Sequence, residues 1–461
     1  MSFTRRTFLI GAGAGLTVLA VAACTDVTPT PTGSPTPRPQ LVPAPSRVWR
    51  SNWAADPFAL GAISYLPVGA APESRLALRT AQLDRVFFAG EATSDQPGTV
   101  GGATTSGLRV AIEVANVVGD GERVAIIGAG AAGAEAARLL SGSGVEVIVV
   151  EARDRVGGRI DSRTTDDGSS FELGAWTLAT DGDSTVIAAL DDLGVSSIPL
   201  EGSLLVAAED PAASVPLDAL AAAQQEIATR LSAWGAEQLR DAPVSEALEQ
   251  SGAANASIGD VPAEAIGALF AEATRLATGA ESDETSVWFS RASVGLPSVL
   301  PEGPLSALVT AGLADARLAL STTVVGIAYD DDGVSLRLGT GESLGVDRVI
   351  VTVPLGVLKA GAIEFDPPLP LSMRAAINAV GVGQLELVRV AFDEAFWQTD
   401  AVIWSLVGTD AEVTTWVNLQ PLTGETVLLG IAAGDAVAAL AKLSDDALAR
   451  ALREMLEPFA A

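Results

Sequence analysis

The sequence predicts the α/β class: helices alternating with the strands of a parallel sheet, with further strand-length runs enough for a second sheet. Three observations carry that prediction. Arg123–Ile160 opens on an apolar, β-branched run ending in glycine, continues as a helix over Ala131–Leu140 and returns to an apolar run at Val145–Val150, the pattern of a βαβ unit. A short apolar strand at Arg85–Ala89 leads through the glycine-rich turn Gly98–Gly102 into a helix at Ala103–Val117. Strand-length runs then recur at Val324–Ile327, Gly333–Leu338, Arg348–Val353, Val388–Phe392, Val402–Val407 and Thr426–Ile431, separated by turn signals such as DDDG.

Composition narrows the possibilities. With 461 residues, 48% of them hydrophobic, the chain can bury a large core, and two domains are expected. A formal charge of −29 argues against nucleic acid and anionic membrane surfaces; it either favours cationic small molecules at long range or simply keeps the protein soluble. The absence of histidine excludes histidine triads and histidine metal sites, and a single cysteine excludes an internal disulfide. No metal-ligand cluster is expected.

Taken in order, residues 1–24 read as a targeting segment. Arg5 and Arg6 before Phe8–Leu9 form a twin-arginine signal of the Tat type, and Val21–Ala22–Ala23–Cys24 has the form of a lipobox. The expectation is export by the Tat machinery and membrane attachment, on the outer face of the cytoplasmic membrane, through lipid on Cys24; the alternative is cleavage at a nearby small residue. Residues 25–46, alternating Thr, Pro and Ser, read as an extended linker.

The Arg123–Ile160 unit carries the clearest chemistry. Gly128, Gly130 and Gly133 form GxGxxG at the mouth of a helix. The first allows a tight turn, the second lets backbone approach a pyrophosphate, and the third lets the helix pack close on the strand. The helix N-terminus suits a phosphate, and Glu151, about twenty positions on, suits ribose hydroxyls. Asp181–Pro297 is rich in alanine, leucine and acids and lacks strand alternation, so it reads as a mostly helical insertion over a substrate site.

The continuation EARDRVGGR at Glu151–Arg159 resembles the extended fingerprint of the flavin amine oxidase family, which includes monoamine and polyamine oxidases and a related histone demethylase. That resemblance implies an FAD-binding Rossmann-like domain of three ββα layers, joined to a second domain of mixed sheet plus helices. It places Gly128, Gly130, Ala131, Ala132, Gly133, Glu151, Ala152, Arg153, Gly157, Gly158 and Arg159 along the cofactor. ELGAWTL at Glu172–Leu178 resembles the family's next segment and implies contacts from Gly174, Ala175 and Trp176 to the flavin; Val324 would meet adenine through its backbone. Val48–Val118 resembles the family's C-terminal segment, in which Gly90 and Glu91 would hold the ribityl chain and Thr99 and Val100 the flavin's pyrimidine edge. Here that segment precedes GxGxxG, so the order looks circularly permuted, with the old ends joined through Gly119–Glu122.

The expected domains are therefore 47–80 (substrate-domain strand and crossover), 81–180 (FAD domain), 181–297 (helical insertion), 298–360 (FAD-domain return) and 361–461 (substrate domain). The resemblance implies an FAD-dependent amine oxidase that transfers hydride from a primary or secondary amine to non-covalent FAD and is reoxidised by oxygen to hydrogen peroxide. It implies non-covalent FAD because Gly61 occupies the position where some relatives carry a linking cysteine. Two departures stand out. Ala62 and Thr99 replace an aromatic pair, and Leu387 falls where the family usually places a lysine near flavin N5, with Glu386 or Arg389 available after a slip in register. No catalytic residue is assigned. Two other readings stay open: a flavin dehydrogenase or desaturase on a non-amine substrate, and an exported FAD-binding protein with little turnover.

Overall fold

The computed structural model describes residues 42–166, 168–207, 213–255, 263–289, 298–406, 409 and 411–460. The expected signal with Cys24, and most of the 25–46 stretch, lie outside the described residues. A five-stranded, all-parallel sheet forms the centre, in the order Arg317–Ala319, Glu146–Val150, Arg123–Ile127, Arg348–Val351 and Val86–Phe88. Alternate residues go to opposite faces. Val124, Ile126, Val147, Val149 and Ile350 pack into a core beneath helices Val100–Ala115, Ala131–Ser141 and Ser306–Gly312. Ala125, Ile127, Ile148, Val150 and Val351 pack against a four-stranded sheet ordered Ser343–Val346, Val334–Leu338, Val324–Tyr329 and Glu364–Asp366. Helix, sheet and sheet make three layers. Cover on both faces is why the parallel strands read as unbroken apolar runs.

The second sheet has seven strands in the order Arg47–Arg50, Leu385–Ala391, Val427–Ala433, Thr415–Asn418, Ile403–Leu406, Ser203–Ala207 and Ala213–Pro216. Its pairs are antiparallel except where Ser203–Ala207 runs parallel to Ile403–Leu406. One face carries Val388, Val390, Trp404, Trp416 and Leu428 into a core with Trp397 and the amphipathic helix Asp445–Leu456. The other face, with Leu387, Val417, Leu429 and Ile431, packs against Leu200 and the side of Trp176.

Four expectations are corrected. The packed chain begins inside the stretch read as linker: Val42 is fully buried, and its carbonyl accepts from Arg453 Nε and Nη2 at 3.1 and 2.8 Å. The 181–297 insertion is not only helical. Beside helices Ser184–Asp192, Leu217–Ala236, Val244–Gln250 and Ala263–Thr278 it supplies Ser197–Pro199 and the hairpin Ser203–Ala207/Ala213–Pro216, because a distant edge strand offers pairing that local sequence does not show. The strand expected at Arg348–Val353 is shorter: Arg348–Val351 ends before Pro354, and Leu355–Lys359 turns helical, with Pro354 as its N-cap. The glycine-rich turn also enters its helix earlier, at Val100, because the Thr99 hydroxyl caps it by accepting from the Gly102 N–H at 2.8 Å. Among the described residues no helix is long and apolar enough to cross a membrane.

Candidate active site

One cavity of about 1570 Å³ runs from the fingerprint glycines to the inner face of the seven-stranded sheet. Of the residues singled out in the sequence, Gly90, Glu91, Thr99, Val100, Gly128, Gly130, Ala131, Ala132, Glu151, Ala152, Arg153, Gly157, Gly158, Arg159, Gly174, Ala175, Trp176 and Val324 all line it. Gly133 does not, because its work is packing: a Cβ there would lie 2.0 Å from the Gly128 carbonyl oxygen. Gly128 itself sits at φ +108, a conformation that suits glycine. Gly130 faces open space, and a Cβ there would meet nothing closer than the Gly157 oxygen at 3.7 Å.

The charged groups are held in place. Glu151, 4% exposed, accepts from the backbone N–H groups of Ala129 and Arg153, each at 2.8 Å, so it fixes its own loop while keeping acceptor sites for hydroxyls. Arg153 reaches Asp56 at 2.8 Å and so ties the fingerprint to the WAADP segment. Glu91 is buried and accepts from Ser64 Oγ at 2.7 Å, Gly98 N–H at 2.9 Å and Arg159 at 3.0 Å. Burial alone would push its pKa up. The Arg159 guanidinium, the Ser64 hydroxyl, Arg75 and the Gly98 N–H outweigh burial and hold the carboxyl below its ordinary value. Arg159 also donates to the Ala62 carbonyl at 2.6 Å, which aligns it along the cavity wall.

Several residues at the site were not legible in the sequence. Asp183, 3% exposed, accepts from the Gly101 N–H in the first turn of Val100–Ala115 and from Ala179 N–H at 2.8 Å; burial pushes its pKa up against those two bonds. Thr352 Oγ1 donates to the Ile127 and Gly128 carbonyls at 2.8 and 3.2 Å and fixes the turn that opens the fingerprint. Glu272, on helix Ala263–Thr278, lines the far end of the cavity and accepts from the Thr414 and Thr415 hydroxyls at 2.8 and 3.1 Å. Trp53 joins the sequence-predicted Trp176 in lining the cavity, with Trp53 Nε1 donating to the Leu173 carbonyl at 3.2 Å, while Trp397 and Trp404 are core.

These features together suit a dinucleotide: open room over Gly130, the N-terminus of Ala131–Ser141, and an acid at the end of the second strand. The flavin containing amine oxidoreductase model matches residues 33–115 and 131–461. This chain belongs to that family. A pyridine nucleotide-disulphide oxidoreductase model also matches residues 75–167, the stretch around GxGxxG. Polyamine oxidase 4 of Oryza sativa subsp. japonica is 29% identical over 350 residues, covering 70% of this chain and 69% of its own. Lysine-specific histone demethylase 2 of Homo sapiens is 28% identical over 356 residues, 70% of this chain and 42% of its own. Among solved structures, wild-type putrescine oxidase bound to putrescine superposes with a TM-score of 0.58 at 19% identity, covering 74% of this chain and 82% of that one. The protein is an FAD oxidoreductase of the amine oxidase type.

The residues expected near the family lysine's position behave differently from one another. Leu387 is fully buried and does not reach the cavity, whereas Leu385, two residues earlier on the same face, does. Arg389 is drawn to Glu425 at 2.8 Å and over the ring of Phe171, 4.7 Å from its centroid. Glu386 faces the opposite way, accepting from Ser51 Oγ and from Ala54 N–H at 3.0 Å. None of the three brings a cation to the cavity.

Proposed function

We propose that the protein oxidises a primary or secondary amine, with FAD held non-covalently and oxygen as the acceptor. Held by residues such as Gly130, Glu151 and Arg159, FAD would supply a hydride acceptor for the amine Cα–H, its electrons passing on to oxygen as hydrogen peroxide and the imine hydrolysing to a carbonyl compound and ammonia or an amine. The observation that carries this reading is the continuity of one cavity between the fingerprint glycines and a largely apolar chamber. The chain's own residues bind and orient. Gly130 and the helix start give the pyrophosphate room and N–H donors, Glu151 offers acceptors to the ribose, and Glu91 with Arg159 braces the wall beside Ala62. Trp53 and Trp176 supply apolar surface that excludes water from the reacting carbon.

Further parts of the reading concern order and location. The match in two pieces, with the packed start of the chain tied to the last helix through Arg453 and Val42, supports a circularly permuted family order joined through Gly119–Glu122. RR and the lipobox support Tat export with a lipid anchor at Cys24, on the outer face of the cytoplasmic membrane.

The test is the visible spectrum of the purified protein, recorded anaerobically before and after a panel of amines. Bleaching of the flavin by an amine is the expected result. A flavin that no amine bleaches would overturn the amine reading in favour of a dehydrogenase or desaturase on a non-amine substrate, the alternative that the burial of Leu387 favours.

A further inference from the structure

Away from the fingerprint glycines, the cavity lies between helix Leu217–Ala236 and the inner face of strands Ile403–Leu406 and Thr415–Asn418. Ile403 packs against the cluster that holds Leu220 and Ile227 of the helix, so strand and helix face each other. Gln224 belongs to the same stripe of that helix, four residues after Leu220 and three before Ile227, and lines the cavity at 5% exposure. Its amide oxygen is buried with no hydrogen-bond partner among the described residues. Ser405, two residues beyond Ile403 and so on the same face of its strand, lines the cavity at 3% exposure. Its hydroxyl likewise has no hydrogen-bond partner among the described residues.

Polar groups buried this deeply are nearly always paired, so two unpaired ones on facing walls of one cavity point to a ligand that completes them. The nearby charge is already spent. Glu272 is paired with Arg275 and accepts from the Thr414 and Thr415 hydroxyls, and Thr415 stands directly opposite Ser405 across the strand pair. What remains for a ligand is neutral: an amide that presents its oxygen or, after one rotation, its nitrogen, and a hydroxyl that donates or accepts. A ligand hydroxyl suits this pair, because it can donate to one member and accept from the other. An ammonium would find no free anion there, and a methyl group would leave both members unpaired.

We propose that Gln224 and Ser405 are specificity-determining residues that bind a neutral hydroxyl at the non-reacting end of the substrate, so that the preferred substrates are amino alcohols. This rests on the amine oxidase reading.

The test uses ω-amino alcohols of three to six carbons, the alkylamines with a methyl group in place of the hydroxyl, and the diamines with an amino group in its place. All are added to the FAD-loaded full chain. Two readouts apply: the half-saturation of anaerobic flavin bleaching, and calorimetric binding to the pre-reduced protein, which does not turn over. At the best chain length, wild type is expected to bind the amino alcohol about tenfold tighter than the alkylamine. Gln224→Met and Ser405→Ala are each expected to cut that preference to less than about threefold in both readouts. Urea melts of the apo-protein separate binding from structure: Gln224→Met removes an unpaired group and is expected to be at least as stable as wild type. A wild type with no preference for the amino alcohol at any length, variants that keep the full preference, or a Gln224→Met apo-protein less stable than wild type would overturn the assignment. Bleaching by no amine at all overturns the amine oxidase reading instead, so the two failures are distinct.

Discussion

Gly130→Val separates cofactor binding from folding more cleanly than any other change in the fingerprint. Gly130 adopts φ −88 and ψ −173, an extended conformation open to valine, and an added Cβ meets nothing within 3.7 Å. The apo fold should therefore change by no more than about 1 kcal/mol, since losing glycine also restrains the unfolded chain. The same side chain would stand where the pyrophosphate must approach the first turn of Ala131–Ser141. Losing two hydrogen bonds to a charged group, each worth about 1.5–3 kcal/mol, costs at least about 3 kcal/mol, or more than a hundredfold in affinity. The assay pairs flavin absorbance per protein with denaturant melts of apo-protein. The expected result is a colourless protein with near wild-type stability. Gly133→Ala is the counterpart: its Cβ would strike the Gly128 carbonyl at 2.0 Å, so the apo fold itself should lose about 1–3 kcal/mol. A Gly130→Val protein that purifies fully yellow would refute the assignment of this turn to the pyrophosphate.

Three further outcomes follow from the buried groups. Glu91→Gln leaves Arg159 without its anion and should cost the apo-protein about 1–3 kcal/mol at neutral pH. Because the folded pKa of Glu91 lies below its ordinary 4.5, its stabilisation is present above that value and lost as pH falls, so acid titration of the variant should show a shallower decline. Glu172 has the opposite sign. Burial raises it to about 7 against hydrogen bonds from Ser162 and the Leu305 N–H, so the folded protein keeps a proton that the unfolded chain releases above 4.5. Its contribution falls as pH rises from 4.5 through 7, and Glu172→Gln should be more stable than wild type at pH 8 by on the order of 2 kcal/mol, measured by urea melts. Leu387→Lys buries an ammonium among Leu200, Val402, Val417 and Leu429 and should cost more than about 3 kcal/mol, whereas Leu385→Lys, at the cavity, should cost about 1 kcal/mol. Equal tolerance of the two lysines would show that Leu387 does reach the cavity.

The layers around the five-stranded sheet were legible because each strand carried its own signal: apolar runs where both faces are covered, and glycines where backbones meet. What escaped depended on distant partners. Ser203–Ala207 becomes a strand because Ile403–Leu406, two hundred positions away, offers an edge. Strand alternation puts Leu385, Leu387 and Arg389 on one face but does not show that Leu385 is the one that reaches the cavity, since depth along a strand is set by the roof above it. Glu272 looked like one of many acids on an amphipathic helix. Only the hydroxyls of Thr414 and Thr415, from the sheet opposite, set it apart. Val42 read as the end of a linker because the guanidinium that holds it lies near the other end of the sequence.

The two helix starts that line the cavity are brought side by side by glycine. Helix Val100–Ala115 meets the fingerprint helix at Gly107, where a Cβ would lie 2.3 Å from the Ala132 carbonyl, so the two backbones touch two residues beyond Gly130. That contact fixes Thr99 and Val100 relative to Gly130, Ala131 and Ala132, all of which line the same space. The short connection from helix Val100–Ala115 to strand Arg123–Ile127 is held just as firmly. Arg348 bonds the Val117 carbonyl at 2.7 Å and Glu122 at 2.9 Å, and the Arg123 N–H reaches Asp347 at 2.7 Å. On the permuted reading, the join runs from the end of helix Val100–Ala115 to the start of strand Arg123–Ile127, which these bonds hold close together, so a few residues suffice and the cavity need not change shape. The cofactor geometry then depends on the packing of two helices and not on the order in which the chain supplies them.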